Sequence, residues 1–141
     1  MSVMQVEVVS NEYNIYSGEA SFVVVPTVQG ELGIYPRHEP IMSLVRPGVL
    51  RLTVPGEAAE VLVAVSGGVL EVQPDKITVL ADVAVRSTEM DQERAEAAKK
   101  AAESCISESK DDRSLAEAHK ALAAAIAQLK TLDYIRSHKN K

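Results

Sequence analysis

"EVLVAVSGGVLEVQPDKITVLADVAV", residues 60–85, decides the fold class. It reads as apolar runs at 60–66, 69–73 and 76–85, separated by Gly67-Gly68 and Pro74-Asp75. The runs are rich in β-branched residues, and sharp turn signals bound them, so they are expected as strands. In "EVLVAVS" (60–66) both faces are apolar. That pattern fits a central strand between two layers or a strand beneath a partner. The two glycines of "SGGVLEV" (66–72) follow a strand, as in a phosphate-binding loop. A third glycine and a following helix are missing, so the pair reads as a hairpin turn.

The same grammar runs upstream. "VMQVEVVS" (3–10), "EASFVVVP" (19–26) and "VLRLTV" (49–54) are short runs closed by Gly, Pro, Asn or Asp. In the last of these Leu50, Leu52 and Val54 are expected to face a core, with Arg51 and Thr53 outside. Strands with turn signals at such regular spacing indicate a sandwich or barrel. No helical period occurs before residue 87. "GELGIYPRHEPIM" (30–42) shows neither period and reads as a stiff loop. Gly30 and Gly33 permit turns, and Pro36 and Pro40 restrict the backbone. Leu32, Ile34 and Tyr35 are expected to fill the corner, leaving Glu31, Arg37, His38 and Glu39 outward. A stiff loop with exposed polar side chains loses little entropy on binding, which suits a docking foot.

From residue 88 the composition changes: residues 89–141 contain no Gly and no Pro and are rich in Ala, Glu and Lys. Ala95, Ala98, Ala102 and Cys105 recur at helical spacing. Asp91 and Glu93 suit the first turn. "SESKDDRS" (107–114) interrupts the pattern with side chains that compete for backbone hydrogen bonds. A second helix then opens, with Ser114 to Glu117 as a capping box or with Asp111 or Asp112 as the cap. Leu115, Ala118, Leu122, Ala125, Leu129 and Leu132 form its apolar seam. The expected fold is an all-β sandwich of about ten short strands followed by an antiparallel α-helical hairpin. The expected units are residues 1–87 and residues 88–141.

Alanine dominates the hairpin's contact faces. A buried methylene contributes about 0.8 kcal/mol, against about 1.5–3 for a whole Leu or Ile side chain. Alanine also favours helix without any partner. Helicity is therefore expected to be robust and docking weak, which suits a switch between two packings of intact helices. The alternative is a plain structural hairpin.

Charge is partitioned. Of 141 residues, 1–88 hold five Arg or Lys and ten Asp or Glu, whereas 89–141 hold ten of each. The whole net charge of −5 thus lies in the first part, which makes the chain a poor general nucleic-acid binder. Lys130, Arg136, Lys139 and Lys141 outnumber Asp133 near the end, a basic segment able to meet an acidic protein surface or to cap a helix dipole. Cys105 is the single cysteine, so no internal disulfide forms. Its acidic neighbours point to a packed thiol rather than a reactive one. No signal peptide or membrane span is read from the sequence, which places the chain on the cytosolic side. His38, His119 and His138 show no metal-ligand spacing, and no nucleophile, base and acid come together in any recognised pattern. An enzyme is not expected.

Three stretches carry a family resemblance: Gly30 to Pro36 with His38 and Pro40; Ser66 to Pro74 with Val79 to Asp82; and Met90 to Ala95. On these, over nearly its full length, the chain resembles the epsilon subunits of bacterial F-type ATP synthases. The resemblance implies a non-catalytic rotor subunit of the central stalk, peripheral on the cytoplasmic face of the inner membrane. Its sandwich would pack on the gamma subunit and rest on the c-subunit ring, carrying the torque of proton flow toward ATP synthesis. Its hairpin would either fold on the sandwich or extend beside gamma to a catalytic beta subunit and inhibit ATP hydrolysis. Glu31 and His38 become the candidates for contact with the c ring and gamma. Lys99, Lys100, Lys110, Arg113 and Lys120 become those for the beta subunit. Some family members bind ATP at the helix opening. Here Asp91, Arg94 and Ala95 match that pattern and Met90 departs from it, while "ALAAAIAQL" (121–129) brings no cation from the second helix. No cofactor is expected beyond weak ATP binding at Asp91 and Arg94, because charge-assisted bonds supply most phosphate affinity. Equally, Asp91 caps the helix and Arg94 pairs with it or with Glu93. The alternatives are a stand-alone sandwich-and-hairpin binding module and an ATP-sensing regulator.

Overall fold

The computed structural model describes residues 2–11 and 13–138. Ten strands come first: β1 (Met4–Ser10), β2 (Tyr13–Ala20), β3 (Phe22–Thr27), β4 (Gly30–Ile34), β5 (Ile41–Val45), β6 (Gly48–Thr53), β7 (Val61–Val65), β8 (Gly68–Val72), β9 (Lys76–Ala81) and β10 (Ala84–Arg86). A short 3₁₀ turn, Ser87–Glu89, leads to α1 (Gln92–Glu108) and α2 (Asp112–His138). The strands follow one hydrogen-bonded path, β10-β7-β6-β3-β5-β8-β9-β1-β2, with β4 added to β3. A single residue pair, Thr27 with Val45, joins β3 to β5. At that corner the path folds into two five-stranded layers. Alternate residues of both layers meet in one core that includes Val6, Val8, Val25, Leu50, Leu52, Val63, Leu70, Ile77 and Val79.

The opening stretch shows why the chain folds this way. In β7, Val63 and Val65 enter the core, while Leu62 and Ala64 are buried outside it. By the two-residue period they lie on the opposite face, where α2 packs across β6 and β7. The strand is apolar on both sides because a core lies on one and a helix on the other. The glycine pair has a steric reason. Gly68 has φ +138°, and a Cβ there would lie 2.0 Å from the Leu80 carbonyl oxygen. The β8–β9 approach therefore requires glycine. The Ser66 hydroxyl accepts from the Val83 amide at 2.9 Å, and the Asp82 amide donates to the Gly67 carbonyl at 3.0 Å. The second resemblance stretch is thus a structural corner.

Two expectations about strands need correction. Residues 30–42 are not one loop: Gly30–Ile34 pairs with β3, Ile41–Val45 pairs with β8, and only 35–40 connects them. The glycines hid the strand. Gly33 lies against the Phe22 ring, which in turn stacks on exposed Tyr35 at 4.4 Å between centroids. Residues 76–85 are likewise two strands. The chain breaks at Asp82-Val83 so that β9 joins one layer and β10 the other.

In the hairpin, Asp91 is the N-cap of α1, accepting from the Arg94 amide at 3.2 Å. Asp111 performs the same task for α2, accepting from the Ser114 amide at 2.8 Å. That bond, with a second from the Ser114 hydroxyl, holds the Asp111 carboxyl below its ordinary value. Asp111, rather than Ser114, is therefore the cap. On α1 only Ala95 and Ala102 are buried. Cys105, expected to pack, is exposed and lines an open groove near the turn with Ala98 and Ala101.

Candidate functional site

The helix–sheet contact is the best-defined candidate site. α1 packs on α2, and α2 lies on the sheet. Helix α2 therefore carries two contact faces, and the sequence seam described only one. Ala118 and Ala125 of that seam are buried, while Leu115, Leu122, Leu129 and Leu132 remain half-buried. The second face is Ala127, Thr131 and Tyr134, spaced i, i+4, i+7. Ala127 and Thr131 are 1% and 0% exposed. The Thr131 hydroxyl donates back to the Ala127 carbonyl at 2.8 Å, so burying it leaves no polar atom unsatisfied.

Tyr134 closes the face. Its hydroxyl donates to Glu60 Oε1 at 2.6 Å and accepts from Arg51 Nη1 at 3.0 Å. The guanidinium also lies 5.1 Å from the Tyr134 ring centroid. Burial and the bond to Glu60 push the Tyr134 phenol up from its ordinary value, against the opposing pull of Arg51. Arg51, expected to face outward from β6, does so, into this cluster. Its other terminal nitrogen lies 3.8 Å from Glu31 Oε2.

Glu31 therefore is not on a free loop. It sits on β4 opposite Pro26, half-exposed at 54%, on a cleft of about 490 Å³ that Arg46, Lys130 and Tyr134 also line. His38 lies in the 35–40 connection, half-buried, with Nδ1 2.8 Å from the Glu39 carbonyl oxygen. Glu31 thus lies at the β3–β4 turn end of β4, and His38 lies beyond the other end of that strand.

The remaining candidates are dispersed. Asp91 uses its carboxylate in the cap, and the Arg94 side chain is exposed. A cation of α2 does reach this helix opening: Arg136 Nη2 donates to Gln92 Oε1 at 3.2 Å. It stands two turns beyond 121–129, the stretch that itself brings no cation. Lys110 and Arg113 flank the hairpin tip, and Arg113 lies 3.9 Å from Glu117. Lys99, Lys100 and Lys120 lie about ten residues back from the tip on the two arms. Lys139 and Lys141 of the basic end lie outside the described residues. Among the described residues no cluster of His, Cys, Asp and Glu is arranged to hold a metal, and no helix is long and apolar enough to cross a membrane.

On the other layer, the outer face is uncovered and apolar. Leu44, Val69 and Leu80 stand side by side across β5, β8 and β9. Met42, Leu44 and Leu80 are 69%, 59% and 54% exposed. A run of this kind on a sheet face marks a contact surface.

Residues 3–87 match the model of the ATP synthase Delta/Epsilon chain beta-sandwich domain, and residues 88–133 match the long alpha-helix domain of the same chain. The chain belongs to the ATP synthase epsilon-chain family. It is 88% identical over 139 residues to an ATP synthase epsilon chain of Neisseria meningitidis, covering 99% of each. It is 63% identical to the epsilon chain of Laribacter hongkongensis, covering 96% of this chain and 97% of that one. A chain of the Euglena gracilis mitochondrial ATP synthase, solved as an assembly with OSCP, F1 and the c-ring, shares the fold. It superposes with TM-score 0.73 at 21% identity, covering 92% of this chain and 81% of that one. Membership of the epsilon-chain family makes this chain a non-catalytic subunit of the ATP synthase.

Proposed function

We propose that this epsilon chain is a rotor part of the central stalk, with a rigid sandwich that docks and a hairpin that regulates. The observation that carries the docking half is the uncovered apolar face around Leu44, Val69 and Leu80. It lies on the layer opposite the one α2 covers, so a shaft-like partner can seat there while the hairpin stays docked. The gamma subunit is the proposed occupant. Glu31 on β4 and His38 in the β4–β5 connection are proposed to meet the polar loops of the c ring. The membrane is then approached only through that ring, from its cytoplasmic face.

The composition of the helix–sheet contact supports the regulatory half. On α2 its buried side chains are Ala127 and Thr131. Small residues permit close approach but remove little apolar area from water. The hairpin is proposed to leave the sheet with its helices intact and to present Lys99, Lys100, Lys110, Arg113 and Lys120 to a catalytic beta subunit, which slows ATP hydrolysis. ATP binding at Asp91 and Arg94 is proposed to be weak. Asp91 is engaged as a cap, and Arg136 is the α2 cation drawn to that helix opening.

Two experiments separate the halves. Leu80→Asp places a charge on the uncovered face without touching the core. The variant is expected to fold and to be lost from ATP synthase purified from membranes. Retention at the parent level would refute the docking face. Deleting residues 89–141 is expected to keep assembly and ATP synthesis while raising hydrolysis. A truncated complex that hydrolyses no faster than the intact one would refute the regulatory role.

A further inference from the structure

We propose that Tyr134 is the latch that holds the hairpin on the sandwich, with Glu60 and Arg51 as its two receiving groups. The inference rests on the reading of the hairpin as a mobile element and names what sets its position. Of the sheet-facing row on α2, Ala127 offers a methyl and Thr131 spends its hydroxyl on its own helix. Tyr134 is the member of that row whose polar atom reaches the platform, and it does so as donor and acceptor at once. Both of its hydrogen bonds involve a charged group, the stronger class. The Arg136–Gln92 bond joins α2 to α1 and moves with the hairpin, so it does not oppose undocking.

The arrangement is also reversible. Glu60 enters β7 and Arg51 lies on neighbouring β6, so both stay on the platform when α2 departs. Left behind, the carboxylate and the guanidinium have each other and water as partners. Opening therefore strands no buried charge, which is the usual reason that breaking a polar contact is prohibitive. Arg51 is shared with Glu31, so the latch is continuous with the face proposed to meet the c ring.

The test uses the isolated full chain. Leu62→Cys places a thiol beneath α2 in a Cys105→Ser background, and its maleimide labelling rate reads opening. Tyr134→Phe keeps the ring and removes the hydroxyl. The labelling rate is expected to rise about tenfold, in line with the loss of a charged hydrogen bond on a half-exposed group. Helix and strand circular dichroism is expected to stay unchanged. Glu60→Gln added to Tyr134→Phe is expected to add little, because both remove one interaction. Leu62→Cys removes packing under the helix, so a second readout leaves the interface intact. Dyes on native Cys105 and on Tyr13→Cys report the tip-to-sandwich distance by energy transfer, and Tyr134→Phe is expected to lengthen it. Unchanged labelling and energy transfer overturn the latch, as does faster labelling with loss of circular dichroism. No other subunit is present, so the outcome is independent of whether the hairpin inhibits hydrolysis.

Discussion

Replacing Ala127 by Leu tests whether the close approach of α2 to the sheet sets the hairpin's position. Ala127 is 1% exposed and lies one turn before Thr131 on the face that ends at Tyr134. Leu62, Ala64 and Val24 are buried on the sheet outside the core. Because Ala127 is already buried, a leucine there must displace its neighbours. Overpacking of a filled contact costs about 1–3 kcal/mol. The apolar gain of docking is of the same order, since Leu62 and Val24 contribute about 1.5–3 kcal/mol each at most and the alanines much less. The docked state should therefore lose its advantage, with the equilibrium moving by about 5- to 150-fold. The sandwich core is untouched and leucine is a good helix former, so neither unit should melt. Energy transfer between dyes on Cys105 and Tyr13→Cys should fall while circular dichroism holds. In ATP synthase the same variant should hydrolyse ATP more slowly, the reverse of the deletion of 89–141. Undiminished energy transfer in a folded Ala127→Leu chain would refute the idea that steric fit at this face governs docking.

Gly68→Ala should destabilise the sandwich by about 3 kcal/mol or more, because the added Cβ meets the Leu80 carbonyl and the backbone has positive φ; chemical denaturation measures it. The Tyr134 phenol is raised above its ordinary 10.0 by burial and by Glu60 when docked, so the docking it favours is complete below pH 10 and lost as pH rises through the docked-state value. Glu60, Arg51 and Glu31 are charged groups around it, and Arg46, Lys130 and Asp133 line the same cleft. Thiol labelling of the Leu62→Cys chain should therefore accelerate above about pH 10 relative to a thiol-only reference, and Tyr134→Phe should flatten that rise. Asp91→Ala removes the α1 cap and should cost about 1 kcal/mol, seen as earlier thermal loss of helical signal with the strand signal unchanged.

Local composition is enough to specify the two kinds of secondary structure and their order. Val and Ile runs closed by Gly and Pro specify strands, and an Ala-rich segment without Gly or Pro specifies helices. It also marked β7 as covered on both sides, through Leu62 and Ala64, and placed Arg51 on the outer face. β4 was not legible, because Gly30 and Gly33 carry no side-chain period and the pairing with β3 is supplied by the partner strand. Nor was the split between β9 and β10, which exists only because the two strands join different layers. The second face of α2 is the feature least legible in the sequence. Ala127, Thr131 and Tyr134 are individually ordinary, and a helix pattern shows which residues share a face but not how many neighbours the helix has. Glu60 and Arg51 are nine residues apart in the chain. Only the pairing of β6 with β7, and the folding of α2 over both, brings them to one phenol. Local propensity writes elements into a sequence, whereas contacts between distant elements depend on strand register and layer packing, which no single segment encodes.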